Sequence, residues 1–445
     1  MKLCDPVFFN HLSLPLRGAY TIAAACLLPL VANSAQLAEF VWSGGISPTS
    51  AEVRAGLLTD SSNVRLVVST ASNLSNPTYS SSVDATAAAN DRVAPLTISG
   101  LQPDTSYYYA VEVDGVLDDL RGAFRTFPSG NASFTFSFGS CANTGSTHPV
   151  LDQIRSENPL FHLVTGDFFY EDIGVNDPEL FRDAYRANFA SPQWAALMQH
   201  APFAYIWDDH DFGPNNSNSS SAAKPAAQSV YREMVPHYTL PDSSSIYQAF
   251  SVGRVRVILL DLRSERDVQS ATDNAQKSTL GAAQKAWLKE ELLQAQREGA
   301  VSILVSSVPW ISDRGSDTWD SYSTERSELA RFIVENSLQD SLFMLGGDAH
   351  MLAIDDGRNN TYANAGFPVF HAAALDRSGS TKGGPYSHGT FPGPGQYGLV
   401  EVTDKGGDTI KVSWIGKNAA NEVVTEYSFD VPVPQSTSIA VHSGS

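Results

Sequence analysis

The chain has 445 residues, 42% hydrophobic and 17% charged, a soluble globular composition too long for one ordinary core, so two domains are expected. The formal net charge of −19, without any Lys/Arg-rich block, argues against a general nucleic-acid-binding surface or affinity for anionic membranes.

Residues 1–35 read as an export signal. Lys2 and Arg17 precede the apolar residues 19–31, and the small residues Ala32, Asn33, Ser34 and Ala35 follow. The apolar run is shorter than the roughly 18 residues of a membrane span. Cleavage after Ala35 is therefore expected, with a periplasmic or secreted product that has no span. Cys4 and Cys26 fall in this leader, which leaves Cys141 alone in the mature chain. A lone thiol in an exported protein is buried, intermolecular or metal-bound.

Residues 36–128 carry an all-β pattern. Short Val-, Tyr-, Phe- and Thr-rich runs at 39–42, 64–69, 94–98, 107–113 and 122–127 are separated by Gly, Pro, Asn and Ser clusters, the spacing of a small sandwich. The stretch 101–109 (LQPDTSYYY) resembles the turn of fibronectin type III modules, so Tyr107 and Tyr109 are assigned to packing. Residues 128–132 read as a linker.

From residue 133 to 432 the rhythm becomes mixed α and β. Strands are expected at 134–139, 160–166, 203–207, 255–261, 301–308 and 341–346, with helices at 149–156, 177–190 and 282–298. Trp287, Leu288, Leu292 and Ala295 form a core stripe on the last helix, which Gly299 ends. Strands return at 369–374, 397–402, 410–415 and 423–429. Residues 213–228, rich in Asn, Ser, Ala and Pro, read as a flexible loop, and the Gly/Pro-rich residues 378–398, with Lys382, Tyr386 and His388, have the same standing. Residues 433–445 read as a flexible tail.

Four strands end in residues that bind cations or move protons: FSFGSC at 136–141, HLVTGDFFY at 162–170, AYIWDDHD at 204–211 and GDAH at 347–350. The carboxyl edge of an open sheet is where ligands bind. Asp167 alone would be a turn residue, but with Tyr170 three positions on, carboxylate and phenolate can face one cation. Asp208, Asp209, His210 and Asp211 follow an apolar strand, and burying several carboxylates together costs several kcal/mol per ion without a counter-cation. A metal pair is the simplest compensation.

Together with LDLR at 260–263 and LGAAQKAWL at 280–288, these motifs resemble the PhoD-type alkaline phosphatases and phosphodiesterases, within the calcineurin-like metallophosphoesterases. The resemblance implies a four-layer α/β/β/α sandwich preceded by a small all-β, fibronectin III-like domain. It implies Fe(III) held by Cys141, Asp167, Tyr170 and His350. Asp167 would bridge to a second ion completed by Asp209 and Asp348, with oxygen donors favouring Ca(II) over zinc. Such a pair would activate water for in-line attack on a small phosphate ester, with His210 protonating the leaving alkoxide. Asn216 and Arg263 are candidates for phosphate contacts or support. For Arg263 an ion pair with an acid such as Asp261 is an equal alternative. A nucleotidase, a phospholipase and a non-catalytic exported binding protein are the rival readings.

Overall fold

In the computed structural model, which describes residues 35–313 and 317–435, the apolar side chains of the central strands point alternately into different cores. On Phe203–Ile206, Ala204 and Ile206 enter one core while Phe203 and Tyr205 enter another. On Val301–Ser306, Val301, Ile303 and Val305 share the first of these cores, and Leu304 faces a third. Two sheets therefore face each other across a common apolar layer. Phe138 of one meets Phe370 of the other edge-on, with ring centroids 4.9 Å apart.

The first sheet has nine strands in the order Val423–Pro432, Thr409–Asn418, Gln396–Thr403, Phe134–Gly139, His162–Thr165, Phe203–Ile206, Ala38–Gly44, Ser50–Leu57, Val93–Ser99. The second has seven: Gln248–Val252, Val255–Leu259, Val301–Ser306, Leu342–Gly346, Val369–Ala372, Met351–Asp355, Thr390–Pro392. Phe134–Gly139, His162–Thr165 and Phe203–Ile206 run parallel, as do Val255–Leu259, Val301–Ser306 and Leu342–Gly346, so each set ends on one edge. Helices Val150–Ser156, Pro192–His200 and Lys224–Met234 cover the outer face of the first sheet; Gly281–Glu298 and Ser323–Glu335 cover the second. This is the four-layer α/β/β/α arrangement. Each fully buried Leu, Val or Phe in these layers contributes roughly 1.5–3 kcal/mol.

The N-terminal strands divide between two sheets. Ser61–Ser69 and Ser106–Val113 lie at the centre of a six-stranded sheet that packs on Ala38–Gly44, Ser50–Leu57 and Val93–Ser99. Those three strands are also the end of the nine-stranded sheet, because Ala38–Gly44 pairs with Phe203–Ile206 at Gly44 and Phe203. The expected linker at 128–132 therefore does not coincide with a break in sheet hydrogen bonding, and the described residues fall in one compact unit. Tyr107 and Tyr109 are buried, and the Tyr107 hydroxyl accepts from the Gln102 amide at 2.9 Å. Residues 1–34 of the expected leader and 436–445 of the expected tail lie outside the described residues. Among the described residues no helix is long and apolar enough to cross a membrane.

One loop expectation is corrected. Residues 224–234 form a helix with Pro225 in its first turn, burying Ala226, Ala227, Val230, Tyr231 and Met234 at helical spacing. Helix Gly281–Glu298 ends at Gly299, whose φ of 69° is the left-handed stop. Its buried stripe is Gln284, Leu288, Leu292 and Ala295, while Trp287 lies half-buried on Tyr247.

His162, buried in the first sheet with Nδ1 2.9 Å from the Ser137 hydroxyl, has its pKa pushed down to about 3 by burial. Its unfolded form takes a proton below about 6.5, whereas the folded form resists until about 3, so its stabilising contribution is lost as pH falls through that window. At roughly 1.4 kcal/mol per pH unit below the unfolded pKa, wild type should lose about 2 kcal/mol more than His162→Gln between pH 6.5 and 4.5. Urea midpoints at the two pH values measure this; parallel losses would show that His162 titrates normally.

Candidate metal centre

The parallel strands of both sheets stop at one edge, and the turns after them carry the chemistry. Cys141, Asp167 and Asp348 each lie two positions past the end of a strand and adopt left-handed backbone, with φ of 65°, 52° and 63°. Non-glycine residues hold this conformation only where their surroundings over-determine it. The Ala142 amide donates to the Asp167 carbonyl at 3.1 Å, and the Gly347 amide to the Ser306 carbonyl at 3.2 Å. The sheets meet at Gly347, where a Cβ would stand 2.4 Å from the Thr165 carbonyl oxygen, so only glycine permits the approach. The Ser140 hydroxyl closes the seam by accepting from the Asp348 amide at 3.3 Å.

Cys141, Asp167, Tyr170 and His350 form one continuous group. The Cys141 thiol lies 3.5 Å from Asp167 Oδ2, the Tyr170 hydroxyl donates to the same oxygen at 2.6 Å, and that hydroxyl lies 3.2 Å from His350 Nε2. His350 Nδ1 donates to the Ser378 carbonyl at 2.8 Å, which turns Nε2 toward Tyr170. Burial lowers the His350 pKa, against the opposing hydrogen bond to Ser378.

Carboxylates extend the group in two directions. Ligand-capable atoms of Asp167, Asp208 and Asp348 lie within 4.8 Å of one another, as do those of Asp167, Asp209 and His210, and of Asp208, Asp209 and Asp317. Asp209 and Asp348, expected to share the second ion, fall in different groups, and Asp208 joins Asp348 instead. Asp167 Oδ1, Asp208 Oδ2 and Asp209 Oδ1 are buried without a hydrogen-bond donor among the described residues. Burial, then Asp209 and Asp208, pushes the Asp167 carboxyl well above the usual range. Burial drives Asp208 up against the opposing pull of Arg263, and it raises Asp348 to about 6. Burial, then Asp167 and Asp348, raises the Cys141 thiol. Unmet acceptors, strained carboxylates and a thiol in one place are what a cation would relieve, so the residues present fit a metal centre.

Arg263 and Asn216, the candidates for phosphate contact or support, both bear on the carboxylates. Arg263 is sealed from solvent: Nε donates to Asp208 Oδ1 at 2.7 Å and Nη2 to Asp317 Oδ2 at 2.6 Å, with Asp209 at 3.6 Å. It supports the carboxylates from beneath. Asp261, the anticipated partner, instead accepts from the Arg263 backbone amide at 3.1 Å. Asn216 has an exposed side chain and reaches the site through its amide, which donates to Asp209 Oδ2 at 2.5 Å. His210 lies beside the centre, with Nδ1 2.7 Å from Asp172 and its ring 4.0 Å from that of Tyr170.

Sequence reasoning passed over four contributors. Asp208 stood next to the chosen Asp209 in the same run. Asp317 carries no local signature, and neither does Arg377, whose guanidinium carbon lies 4.1 Å above the centre of the Tyr170 ring. Lys382, noted only as a loop residue, forms an ion pair with Asp348.

The PhoD-like phosphatase family model matches residues 136–382. Two uncharacterized Mycobacterium tuberculosis proteins, from strains CDC 1551 and H37Rv, are each 26% identical over 246 residues, covering 50% of this chain and 43% of each relative. The chain thus spans less than half the length of the curated relatives it matches. Among solved structures, that of PhoD superposes with a TM-score of 0.69 at 18% identity, covering 88% of this chain and 93% of the other. A purple acid phosphatase from yellow lupin (Lupinus luteus) seeds gives 0.61 at 10% identity, covering 87% and 73%. The strand-end motifs fall within the matched stretch, which is more than half of the 445 residues, and the chain belongs to the PhoD-like phosphatase family.

Proposed function

We propose that this chain is an exported, metal-dependent phosphoric ester hydrolase acting on small phosphate monoesters or diesters. The observation that carries the reading is the convergence of three donor-less buried carboxylate oxygens with a thiol, a phenol and an imidazole at one sheet edge. The family match and the likeness in fold to PhoD and a purple acid phosphatase support it, and export rests on the apolar leader. Cys141, Asp167, Tyr170 and His350 would hold Fe(III), and with Asp167 the flanking carboxylates Asp208, Asp209 and Asp348, which fall in overlapping groups, would supply oxygen donors for Ca(II). Bound there, the cations would supply positive charge for the phosphate and acidify a water for attack.

The remaining work belongs to the protein's own groups. Asp172 accepts from His210 Nδ1–H, which fixes the tautomer and leaves Nε2 to exchange a proton with the departing alkoxide. The Tyr170 ring against His210 limits rotation of the imidazole. Apolar packing behind Cys141, from Ala373 and Ala374, keeps bulk water from the thiol.

Elemental analysis of the purified protein, with a panel of phosphomonoesters and diesters, tests the proposal. Iron should be present, with a visible phenolate-to-iron band that Tyr170→Phe abolishes or shifts; active protein without iron removes that assignment. His210→Ala should slow esters of poor leaving groups by about 10²–10⁴-fold and activated aryl esters much less. A panel in which no ester turns over overturns the function.

A further inference from the structure

The site is rich in acids, in a chain of 48 acidic and 29 Lys/Arg residues, yet its proposed substrate is an anion. The cationic side chains around it are therefore informative. The Arg263 guanidinium is committed to Asp208 and Asp317 and is sealed from solvent. Arg266 is committed to Asp317, and Lys382 to Asp348. Arg377 differs: among the described residues it has no carboxylate partner. Its guanidinium carbon lies 4.1 Å above the centre of the Tyr170 ring, and Nη1 donates to the Asn143 side-chain oxygen at 2.7 Å. Nε is buried without a hydrogen-bond acceptor among the described residues.

The backbone under Arg377 is held by the site. The Leu375 amide donates to the Ser140 carbonyl at 2.9 Å and the Asp376 amide to the Cys141 carbonyl at 3.1 Å, and residues 142 and 376 form a parallel bridge. The Asp376 carboxylate, which could have neutralised its neighbour, instead accepts from the Ser146 hydroxyl at 2.7 Å. A guanidinium seated over an aromatic ring and tied at one nitrogen keeps the rest of its planar fork for a second acceptor. That fork matches two oxygens of a phosphoryl group.

We propose that Arg377, positioned by Asn143 and the Tyr170 ring, grips the non-bridging oxygens of the substrate phosphate. The inference rests on the phosphoesterase reading and adds the residue that reads the phosphoryl group, the part assigned from sequence to Arg263 and Asn216. Because Arg377 contacts the metal-binding Tyr170 only through its ring face, its loss should weaken substrate binding more than metal retention.

The test compares metal-loaded wild type, Arg377→Gln, Arg377→Lys and Asn143→Ala. It measures metal content, the visible band, the dissociation constant of inorganic phosphate by calorimetry, and KM and kcat for an activated phosphate ester. Arg377→Gln should weaken phosphate binding and raise KM by about 10- to 100-fold, with metal content unchanged and a smaller change in kcat. Arg377→Lys should recover part of the affinity, and Asn143→Ala should raise KM several-fold. Phosphate affinity within twofold of wild type in Arg377→Gln overturns the proposal. So does loss of metal or fold in both Arg377 variants, since the residue would then hold the site together. If wild type binds phosphate through Arg377 but hydrolyses no ester, this inference stands and the hydrolase reading falls.

Discussion

Asp167→Asn is expected to abolish metal-dependent turnover while making the metal-free protein more stable than wild type. Asp167 belongs to two of the three ligand groups, so removing its charge should weaken both of the proposed cation sites at once. Loss of even a residue that orients a ligand costs about 10- to 100-fold in metal affinity, and loss of a shared ligand should cost at least that at each site. The stability change has the opposite sign. In the folded chain burial and the neighbouring Asp209 and Asp208 hold the Asp167 pKa well above its ordinary value. A carboxyl with a raised folded pKa stabilises fully below its unfolded pKa of about 3.9 and loses that contribution as pH rises through the folded value. At pH 7 the metal-free wild type therefore carries an ionisation penalty that asparagine lacks, on the order of 1.4 kcal/mol for every pH unit separating the unfolded pKa from the folded one. Denaturation of chelated protein at pH 4 and pH 7 reads the effect: the variant's advantage should appear at pH 7 and shrink at pH 4. A variant that retains full turnover, or is less stable than metal-free wild type at pH 7, defeats the assignment of Asp167 as the shared ligand.

The parts of this site legible in the sequence were those written locally. An apolar run that stops at Gly-Asp marks a buried parallel strand delivering a carboxylate to its end, and Asp167 and Asp348 were both found in that way. Helix Pro178–Ala190 was legible from Asp177, whose side chain accepts from the Glu179 amide at 3.1 Å, followed by proline. Helix Lys224–Met234 was hidden by composition, since Ala, Ser and Gln suggest a loop while the spacing of Val230, Tyr231 and Met234 already had a helical period. Asp317 and Arg377 could not be found at all. The role of Asp317 depends on Arg263 and Arg266, 54 and 51 positions away. Arg377 is placed by amide contacts with residues 140 and 141, more than two hundred positions earlier. The same limit governed the N-terminal strands. Their alternation indicated a sandwich, but the pairing of Gly44 with Phe203, which extends the catalytic sheet, has no counterpart in local pattern.

Arg263→Leu should be among the most damaging single changes in the protein, at about 3–5 kcal/mol, although the residue touches no substrate. Its guanidinium is fully buried between two carboxylates that are themselves buried, Asp208 and Asp317. Burial alone would raise the Asp317 pKa, but Arg263 and then Arg266 hold it well below the usual carboxylate range. Asp208 already sits above that range despite Arg263. Without the arginine both acids face a low-dielectric surround with less counter-charge, and the Asp208 pKa would be pushed higher still. Removing Asp317 as well should relieve part of the damage, because the partner left uncompensated is then gone. The expected double-mutant cycle of Arg263→Leu and Asp317→Leu therefore gives a combined loss well below the sum of the single losses. A divalent cation should also rescue Arg263→Leu more than wild type, since ligand atoms of Asp208, Asp209 and Asp317 lie within 4.8 Å of one another and could accept the charge that the guanidinium supplied. Denaturant midpoints for the four proteins, with chelator and with added calcium, decide both points. Additive losses together with equal calcium effects would mean that Arg263 acts through packing rather than by neutralising the acids beneath the centre.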